Sequence, residues 1–295
     1  MSRQQPVIII GMHRSGTSML TRLLGTTGVL VGSRLTRNAE SLFMNSLNYW
    51  IFQQSSATWD RPSGVDDLLA HENIRPHVTG YLNGVTHGPA TIRYLGLSRW
   101  LKYGSLHGIA KPWAWKDPRN TFTLPLWLEV FPRARILHIK RHGVDVAQSL
   151  RLRHKRASEN AIARYRRRQS LYDNNPMAPK RGGFGHAPAM ASLHAGLELW
   201  RTYTERASRH VEDLGEQALE LRFEDLLGAP ERLLPGVLEF CGLNLDNLAL
   251  RSAIDSIQPA RKYAFEHDSE LSGFARSNAE TLAALGYRDR NDERS

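Results

Sequence analysis

The residues best suited to chemistry lie in a glycine-punctuated loop near the start of the chain. Gly11 and Gly16 are separated by four residues, and Thr17 and Ser18 follow directly. This spacing is that of a phosphate-binding P-loop, except that Thr17 stands where the usual lysine should be. In such a loop the backbone N–H groups and the positive end of the next helix converge on one anion. The nearest cation is Arg14, inside the loop, so we expect a phosphate site without a Walker lysine.

The flanking sequence predicts the elements that hold this loop. The β-branched run Val7–Ile10 is typical of a short buried strand, and the apolar stretch after Ser18 predicts a helix. The same order recurs at 134–141, a predicted strand followed by Gly143 and a helix from near Val144. A third strand is predicted at 218–223. Repeated strand–loop–helix units predict an α/β fold with a right-handed parallel βαβ sheet.

Other helices follow from apolar periodicity. Helices are predicted over 39–54, over 193–214 and from Pro230 onward, and a less regular helical stretch over 66–106. The buried side of the helix at 39–54 is predicted to consist of Leu42, Phe43, Leu47, Trp50 and Ile51.

A second candidate anion site lies at the end of the predicted strand 134–141. Arg141 ends that strand, and Ser149 lies about two turns into the helix that follows. A guanidinium at the carboxyl end of a parallel strand and a hydroxyl on the next helix can hold one phosphate. Two anion sites on neighbouring βα units predict a ligand with two phosphate groups. We see no apolar strand that ends in an Asp for a catalytic metal, and so predict no metal site.

Bulk properties limit the class of protein. The chain has 295 residues, 41% of them apolar and 23% charged, and a formal net charge of +10. This composition predicts a globular chain with anionic partners, without deciding among them. The single cysteine, Cys241, excludes an internal disulfide framework, and its apolar surroundings favour a packed core thiol. No apolar run approaches the roughly 18 residues of a membrane span or forms a signal peptide, so we expect a cytoplasmic protein.

One basic segment stands apart from the rest of the chain. We predict a single domain over 1–295 with a basic, partly mobile insertion at about 151–190. The arginine-rich part, 151–168, is compatible with a cover over a polyanionic acceptor, an acidic membrane surface or a solvated helix face. It contains one interleaved aromatic, Tyr165, which argues against a single-stranded nucleic-acid groove.

These motifs resemble those of sulfotransferases that use 3′-phosphoadenosine 5′-phosphosulfate (PAPS). Residues 13–18 look like the family's 5′-phosphosulfate loop in its Arg-Ser-Gly-Thr form, and 140–149 are similar to its 3′-phosphate motif. Residues 221–227 resemble a later Tyr-Glu-Asp-Leu segment, with Phe223 in place of the tyrosine. Residues 115–119 resemble a Lys-Asp-Pro element of the tyrosylprotein branch and of many bacterial members.

The resemblance implies a three-layer α/β/α fold with a central parallel sheet and a P-loop-like phosphate-binding loop. It also implies how the donor would be bound. Its 5′-phosphate would be held by the loop N–H groups with Ser15, Gly16, Thr17 and Ser18. Arg141 and Ser149 would bind the 3′-phosphate, and Phe223 would lie near the adenine without a tyrosine's hydroxyl. The 3′,5′-bisphosphate PAP is the implied product, and no metal is required.

The resemblance also implies catalytic roles. Arg14 and Lys116, the latter as a mobile cation, would stabilise charge on the bridging oxygen of the donor. Glu40 lies near the interval at which related branches place a catalytic Glu, and Asp117 is the second candidate for the base. The alternative role of Asp117 is to pair with Arg119.

The expected activity is metal-independent in-line transfer of a sulfuryl group to an acceptor hydroxyl. The acceptor is open, with a carbohydrate-like or other small-molecule hydroxyl favoured and nucleic acid disfavoured. A P-loop kinase of a small substrate and a non-catalytic module that binds PAP or a polyanion are the alternatives. The sequence leaves the oligomeric state open.

Overall fold

The computed structural model describes residues 3–174, 187–243, 247–255, 257 and 262–288. The chain is divided into two compact units. The first comprises 1–141 and 203–262, and the second comprises 142–202 and 263–295. The assignment of 1–295 to one domain stays a prediction.

The first unit is built on a parallel sheet of four short strands. They are β1 (Val7–Ile10), β2 (Ala114–Lys116), β3 (Arg135–Lys140) and β4 (Ala218–Arg222), in the order β2-β1-β3-β4. Every pairing is parallel, and the register aligns Ile9 with Lys116 on one side and with Leu137 on the other. The chain order reverses beside β1, which is where ligands bind in open α/β sheets.

Alternation along β1 explains the three layers. Ile8 and Ile10 enter one apolar core, and Val7 and Ile9 enter another on the opposite face. The first core is covered by α2 (Leu42–Gln54), α3 (Gly64–Ala70), α4 (Ile74–His87) and α7 (Asn120–Val130). The second is covered by α1 (Thr17–Thr26), α11 (Phe223–Gly228), α12 (Pro230–Phe240) and α13 (Asn247–Asp255). The predicted α/β/α arrangement with a parallel sheet is confirmed.

The remaining helices complete the two units. The first unit also contains α5 (Ile92–Leu95) and α6 (Leu97–Tyr103). The second contains α8 (Gly143–Arg167), α9 (Gln169–Asp173), α14 (Ser269–Ser277) and α15 (Ala279–Ala284). Helix α10 (Leu193–Leu214) has the predicted bounds and contributes to both units. The predicted insertion at about 151–190 begins inside α8, which runs without a break to Arg167. Residues 175–186 of that insertion lie outside the described residues.

Two expectations need correction. Strand β2 was not predicted, because three residues are too short to show alternation, and it runs directly into Asp117. Helix α2 begins at Leu42 rather than at 39, and Leu42 is 42% exposed instead of buried. The Cys241 thiol is buried as expected, and burial raises its pKa to about 12.

Candidate active site

The loop after β1 is held close against the neighbouring strand. Gly11 has φ of +127°, and a Cβ there would lie 2.5 Å from the carbonyl oxygen of Ile139. Its N–H donates to Thr121 Oγ1 at 3.1 Å. Only glycine fits such a conformation and approach, so this residue fixes where the chain leaves the sheet.

Gly16 closes the loop and is packed against an aromatic ring. It has φ of +92°, and a Cβ there would lie 2.3 Å from Cδ2 of Phe223. The guanidinium carbon of Arg141 lies 5.0 Å from the centre of the same ring, a cation–π distance. Phe223 is 5% exposed, so it supports the loop and Arg141 from behind. Its predicted contact with adenine stays a prediction.

Between the two glycines, the loop presents a strained arginine and a buried hydroxyl. Arg14 is exposed and has φ of +72°, a left-handed conformation that is unusual for a residue with a side chain. Ser15 is fully buried, and its Oγ has no hydrogen-bond partner among the described residues. A buried hydroxyl without a partner costs about 1–3 kcal/mol, and a phosphate oxygen would satisfy it. The loop therefore fits the phosphate that its sequence predicts.

Helix α1 begins directly at the end of this loop. Its first turn contains Thr17, which is buried, and Ser18, whose Oγ donates to the carbonyl oxygen of Asn38 at 2.7 Å. The first-turn N–H groups lack acceptors within the helix, a feature that suits such a helix start to an anion. The Ser18 contact also connects α1 to the segment that carries Glu40.

A buried ion pair lies next to the loop at the carboxyl end of the sheet. Lys116 ends β2 in register with Ile9, and its Nζ donates to Glu40 Oε1 at 2.9 Å. The Lys116 side chain is 2% exposed, so it is a fixed cation rather than the mobile one that we predicted. Burial lowers the pKa of Lys116, and the neighbouring Glu40 carboxylate opposes this shift.

The other oxygen of Glu40 is held by two polar side chains. Asn45 Nδ2 donates to Glu40 Oε2 at 3.2 Å, and Thr36 Oγ1 lies 3.3 Å from the same atom. Thr36 Oγ1 also accepts from the N–H of Glu40 at 3.2 Å. The Glu40 carboxylate thus accepts three hydrogen bonds, one at Oε1 from Lys116 and two at Oε2. A carboxylate has about four acceptor positions, so Oε1 can accept one more hydrogen bond.

The second candidate base, Asp117, is fully engaged. Arg119 donates to it from its backbone N–H at 2.9 Å, from Nε at 3.1 Å and from Nη2 at 2.9 Å. Asn45 Nδ2 adds a longer contact of 3.4 Å to Asp117 Oδ2. Four donors occupy all of the acceptor positions of this carboxylate. The geometry therefore favours Glu40 over Asp117 as the group that could receive a proton.

The structure brings most of the predicted residues together in the first unit. These residues lie at or after the carboxyl ends of three neighbouring strands. The loop residues 14–18 follow β1, and Glu40 comes later on the same connection, after α1. Lys116 is the last residue of β2, and Arg141 directly follows β3. Ser149 belongs to α8 in the second unit, where it is half-buried, and its predicted role stays a prediction. Sequence reasoning missed Asn45 and Thr36, which lie five residues after and four residues before Glu40. No residue pattern marked them as partners of that carboxylate.

Fold and site together define an α/β protein with a glycine-punctuated loop after β1 and an adjacent Lys–Glu pair. The model of the sulfotransferase family matches residues 6–247. The chain belongs to the sulfotransferase family, and the match includes every predicted site residue.

Solved structures with a similar fold are also sulfotransferases. The sulfotransferase domain from the curacin biosynthetic pathway is 14% identical with a TM-score of 0.48, covering 94% of this chain and 98% of that one. The corresponding domain of the Synechococcus PCC 7002 olefin synthase is 16% identical with a TM-score of 0.48, covering 94% and 95%. A sulfotransferase from Alicyclobacillus acidocaldarius is 16% identical with a TM-score of 0.47, covering both chains fully. The search of curated proteins gave no match to this chain.

The described residues form neither a metal cluster nor a membrane-spanning helix. No group of three or more His, Cys, Asp or Glu side chains among them is placed to hold a metal ion. Within the same part of the chain, no helix combines the length and apolar character needed to cross a membrane.

Proposed function

We propose that this protein transfers a sulfuryl group from PAPS to the hydroxyl of a small, carbohydrate-like acceptor. The observation that carries the proposal is the β1–α1 loop, where a buried Ser15 hydroxyl lacks a partner among the described residues next to a Lys116–Glu40 pair. An anion at the loop and a proton acceptor beside it are the two requirements of sulfuryl transfer to an alcohol. Membership of the sulfotransferase family supports the group transferred.

The chain's own residues have distinct binding roles in this proposal. Ser15 and the N–H groups at the start of α1 bind the donor's 5′-phosphate. Arg141, held in place by its contact with the Phe223 ring, binds the 3′-phosphate. Ser149 is the second proposed 3′-phosphate ligand, on the evidence of the sequence motif alone.

The proposed chemistry is metal-independent. Glu40 receives the proton of the acceptor hydroxyl through Oε1 as that oxygen bonds to sulfur and the sulfur–oxygen bond to the donor's phosphate breaks. Arg14 and Lys116 stabilise the negative charge that passes to the leaving phosphate. The Lys116 ammonium also fixes the position of Glu40 Oε1 through their 2.9 Å contact.

One exposed aromatic supports a ring-shaped acceptor. Tyr49 lies one helical turn after Asn45 on α2 and is 57% exposed. The guanidinium carbon of Arg119 lies 5.8 Å from the centre of its ring, which restricts its motion. An exposed, braced aromatic near the proposed base can stack on the face of a sugar or another ring.

The test is mass spectrometry of acceptor pools incubated with PAPS in the presence of a chelator. We expect a product heavier by one sulfuryl group with wild type and strong loss of that product with Glu40→Ala. Tight PAPS binding without product from sugars, lipids and phenols would instead support a non-catalytic module. Turnover that needs ATP and Mg²⁺ would establish the kinase alternative. Loss of product with Asp117→Asn but not with Glu40→Ala would reassign the base.

A further inference from the structure

The positive charge of this protein is concentrated on one stretch of helix. Residues 151–168 contain eight Lys or Arg residues and one acidic residue, Glu159. That stretch has a net charge of +7 out of the chain's +10, which leaves +3 for all the rest. Dispersed charge is sufficient to prevent aggregation, so such concentration indicates a localised anionic partner.

The helix separates these residues into two stripes. One stripe contains His154, Ser158, Ala161 and Tyr165, which are partly or fully buried, and a 3.2 Å contact joins Ser158 Oγ to His154 Nε2. At 3.6 residues per turn, the opposite side forms an exposed stripe. We call it the outer stripe of α8, and it consists of Leu152, Lys155, Arg156, Glu159, Ile162, Arg166 and Arg167.

The outer stripe combines basic and apolar side chains. Leu152 is 42% exposed and Ile162 is 39% exposed, although both lie among charged neighbours. Farther along, Leu171 on α9 is 69% exposed. Arg151 is engaged elsewhere, because it forms an ion pair with Glu270 at 2.6 Å. The outer stripe therefore offers four cations, one carboxylate and two aliphatic side chains to one partner, with a net charge of +3.

This combination distinguishes between anionic partners. A polysaccharide or nucleic-acid backbone would bind the cations but would provide no environment for leucine and isoleucine. The outer stripe also lacks the aromatic rings on which bases stack. An anionic membrane attracts Lys and Arg to its headgroups and accepts aliphatic side chains at the boundary with the acyl chains.

We propose that the outer stripe of α8 binds the surface of an anionic lipid membrane. Lys155, Arg156, Arg166 and Arg167 contact lipid phosphates, and Leu152 and Ile162 enter the interface. The binding is peripheral and reversible, and it is independent of the proposed sulfuryl transfer.

The test is sedimentation of the full-length protein with vesicles of phosphatidylcholine alone or with about a quarter phosphatidylglycerol. We expect wild type to bind the anionic vesicles at least about tenfold more tightly, and to lose this binding at high salt. The first variant removes the four cations of the outer stripe through Lys155→Gln, Arg156→Gln, Arg166→Gln and Arg167→Gln. It should bind the anionic vesicles at least about tenfold more weakly than wild type. The control removes four exposed charges elsewhere through Arg93→Gln, Lys102→Gln, Arg133→Gln and Arg232→Gln. Its affinity for the anionic vesicles should stay within about twofold of that of wild type.

A second variant separates lipid from other polyanions. Leu152→Ser with Ile162→Ser should weaken vesicle binding about fivefold or more while binding to heparin stays unchanged. Circular dichroism would verify that each variant is folded. Equal binding of wild type to neutral and anionic vesicles would overturn the proposal. Full vesicle binding by the double-serine variant would also overturn it, and would identify the outer stripe as a general polyanion site.

Discussion

Glu40→Gln tests the buried pair beside the phosphate loop, because it removes a charge and keeps the shape. At 2.9 Å and an effective dielectric constant of about 20, the Coulomb attraction between Lys116 and Glu40 is roughly 6 kcal/mol. Desolvation of both groups offsets much of this attraction, and the glutamine oxygen can still accept the Lys116 hydrogen bond. We therefore expect the free energy of unfolding at pH 7 to fall by about 2–3 kcal/mol.

The pH dependence of that loss can be worked out from the Lys116 pKa. Burial lowers it, and Glu40 opposes the shift, so the Glu40→Gln variant should have a still lower folded-state pKa. A lysine whose pKa is lower in the folded state binds fewer protons there than in the unfolded chain, so stability rises with pH up to the unfolded value. The difference between variant and wild type should therefore be largest near neutrality and should shrink as pH approaches 10.5.

Urea unfolding at several pH values measures this loss, and turnover with PAPS measures the catalytic effect. If Glu40 is the base, turnover should fall by about 10²–10⁴-fold. The matched control is Glu129→Gln, which breaks the half-exposed pair with Arg75 and should cost under about 1 kcal/mol with normal turnover. Wild-type turnover in Glu40→Gln would refute the assignment of the base. An unfolding free energy equal to that of wild type at pH 7 would refute the energetic argument.

Three further predictions concern the loop and two titrating groups. Gly16→Ala should abolish binding of PAP in calorimetry, because its Cβ would lie 2.3 Å from Phe223 and φ of +92° is strained for alanine. Burial, and then the neighbouring His87, lowers the pKa of His107 from 6.5 to about 4, so its neutral form stabilises the fold and stability should fall between pH 6.5 and 4. His107→Phe should flatten that part of the urea-unfolding profile, and an unchanged slope would exclude His107 as its source. Burial raises the pKa of Glu220, but contacts with His138 and Lys140 outweigh it and lower the pKa from 4.5 to about 2. Wild type should therefore lose roughly 2–3 kcal/mol between pH 4.5 and 2, and Glu220→Gln should lack this loss in acid titration followed by circular dichroism.

Local pattern was sufficient to predict the sheet's main strands and the glycine-punctuated loop after β1. The segments Val7–Ile10 and 134–141 are long enough or apolar enough to be predicted as strands. The spacing of Gly11 and Gly16 then locates the loop directly after the first strand. Strand β2 could not be predicted, because its three residues are extended through pairing with β1 rather than through their own periodicity. The two hydrogen-bond partners of Glu40 were missed for a similar reason, because their contacts form only in the folded chain. Asn45 and Thr36 become partners of this carboxylate only when the chain folds back between α1 and α2.

Side-chain environment was also beyond prediction from sequence. Lys116 was expected to be mobile, and its burial results from the packing of β2 beside β1. Asp117 and Glu40 were comparable candidates for the base in sequence. They differ in the structure only because Arg119 occupies Asp117 with three donated hydrogen bonds.

The most direct test of the account is calorimetric titration of the purified protein with PAP, without metal. We predict one site in wild type, and binding weakened at least about tenfold in both Ser15→Ala and Arg141→Ala. Arg93→Gln, an exposed site on α5, is the control and should bind as wild type does. No binding heat with wild type, or Arg141→Ala binding as tightly as wild type, would contradict the assignment of this loop and Arg141 to the sulfuryl donor.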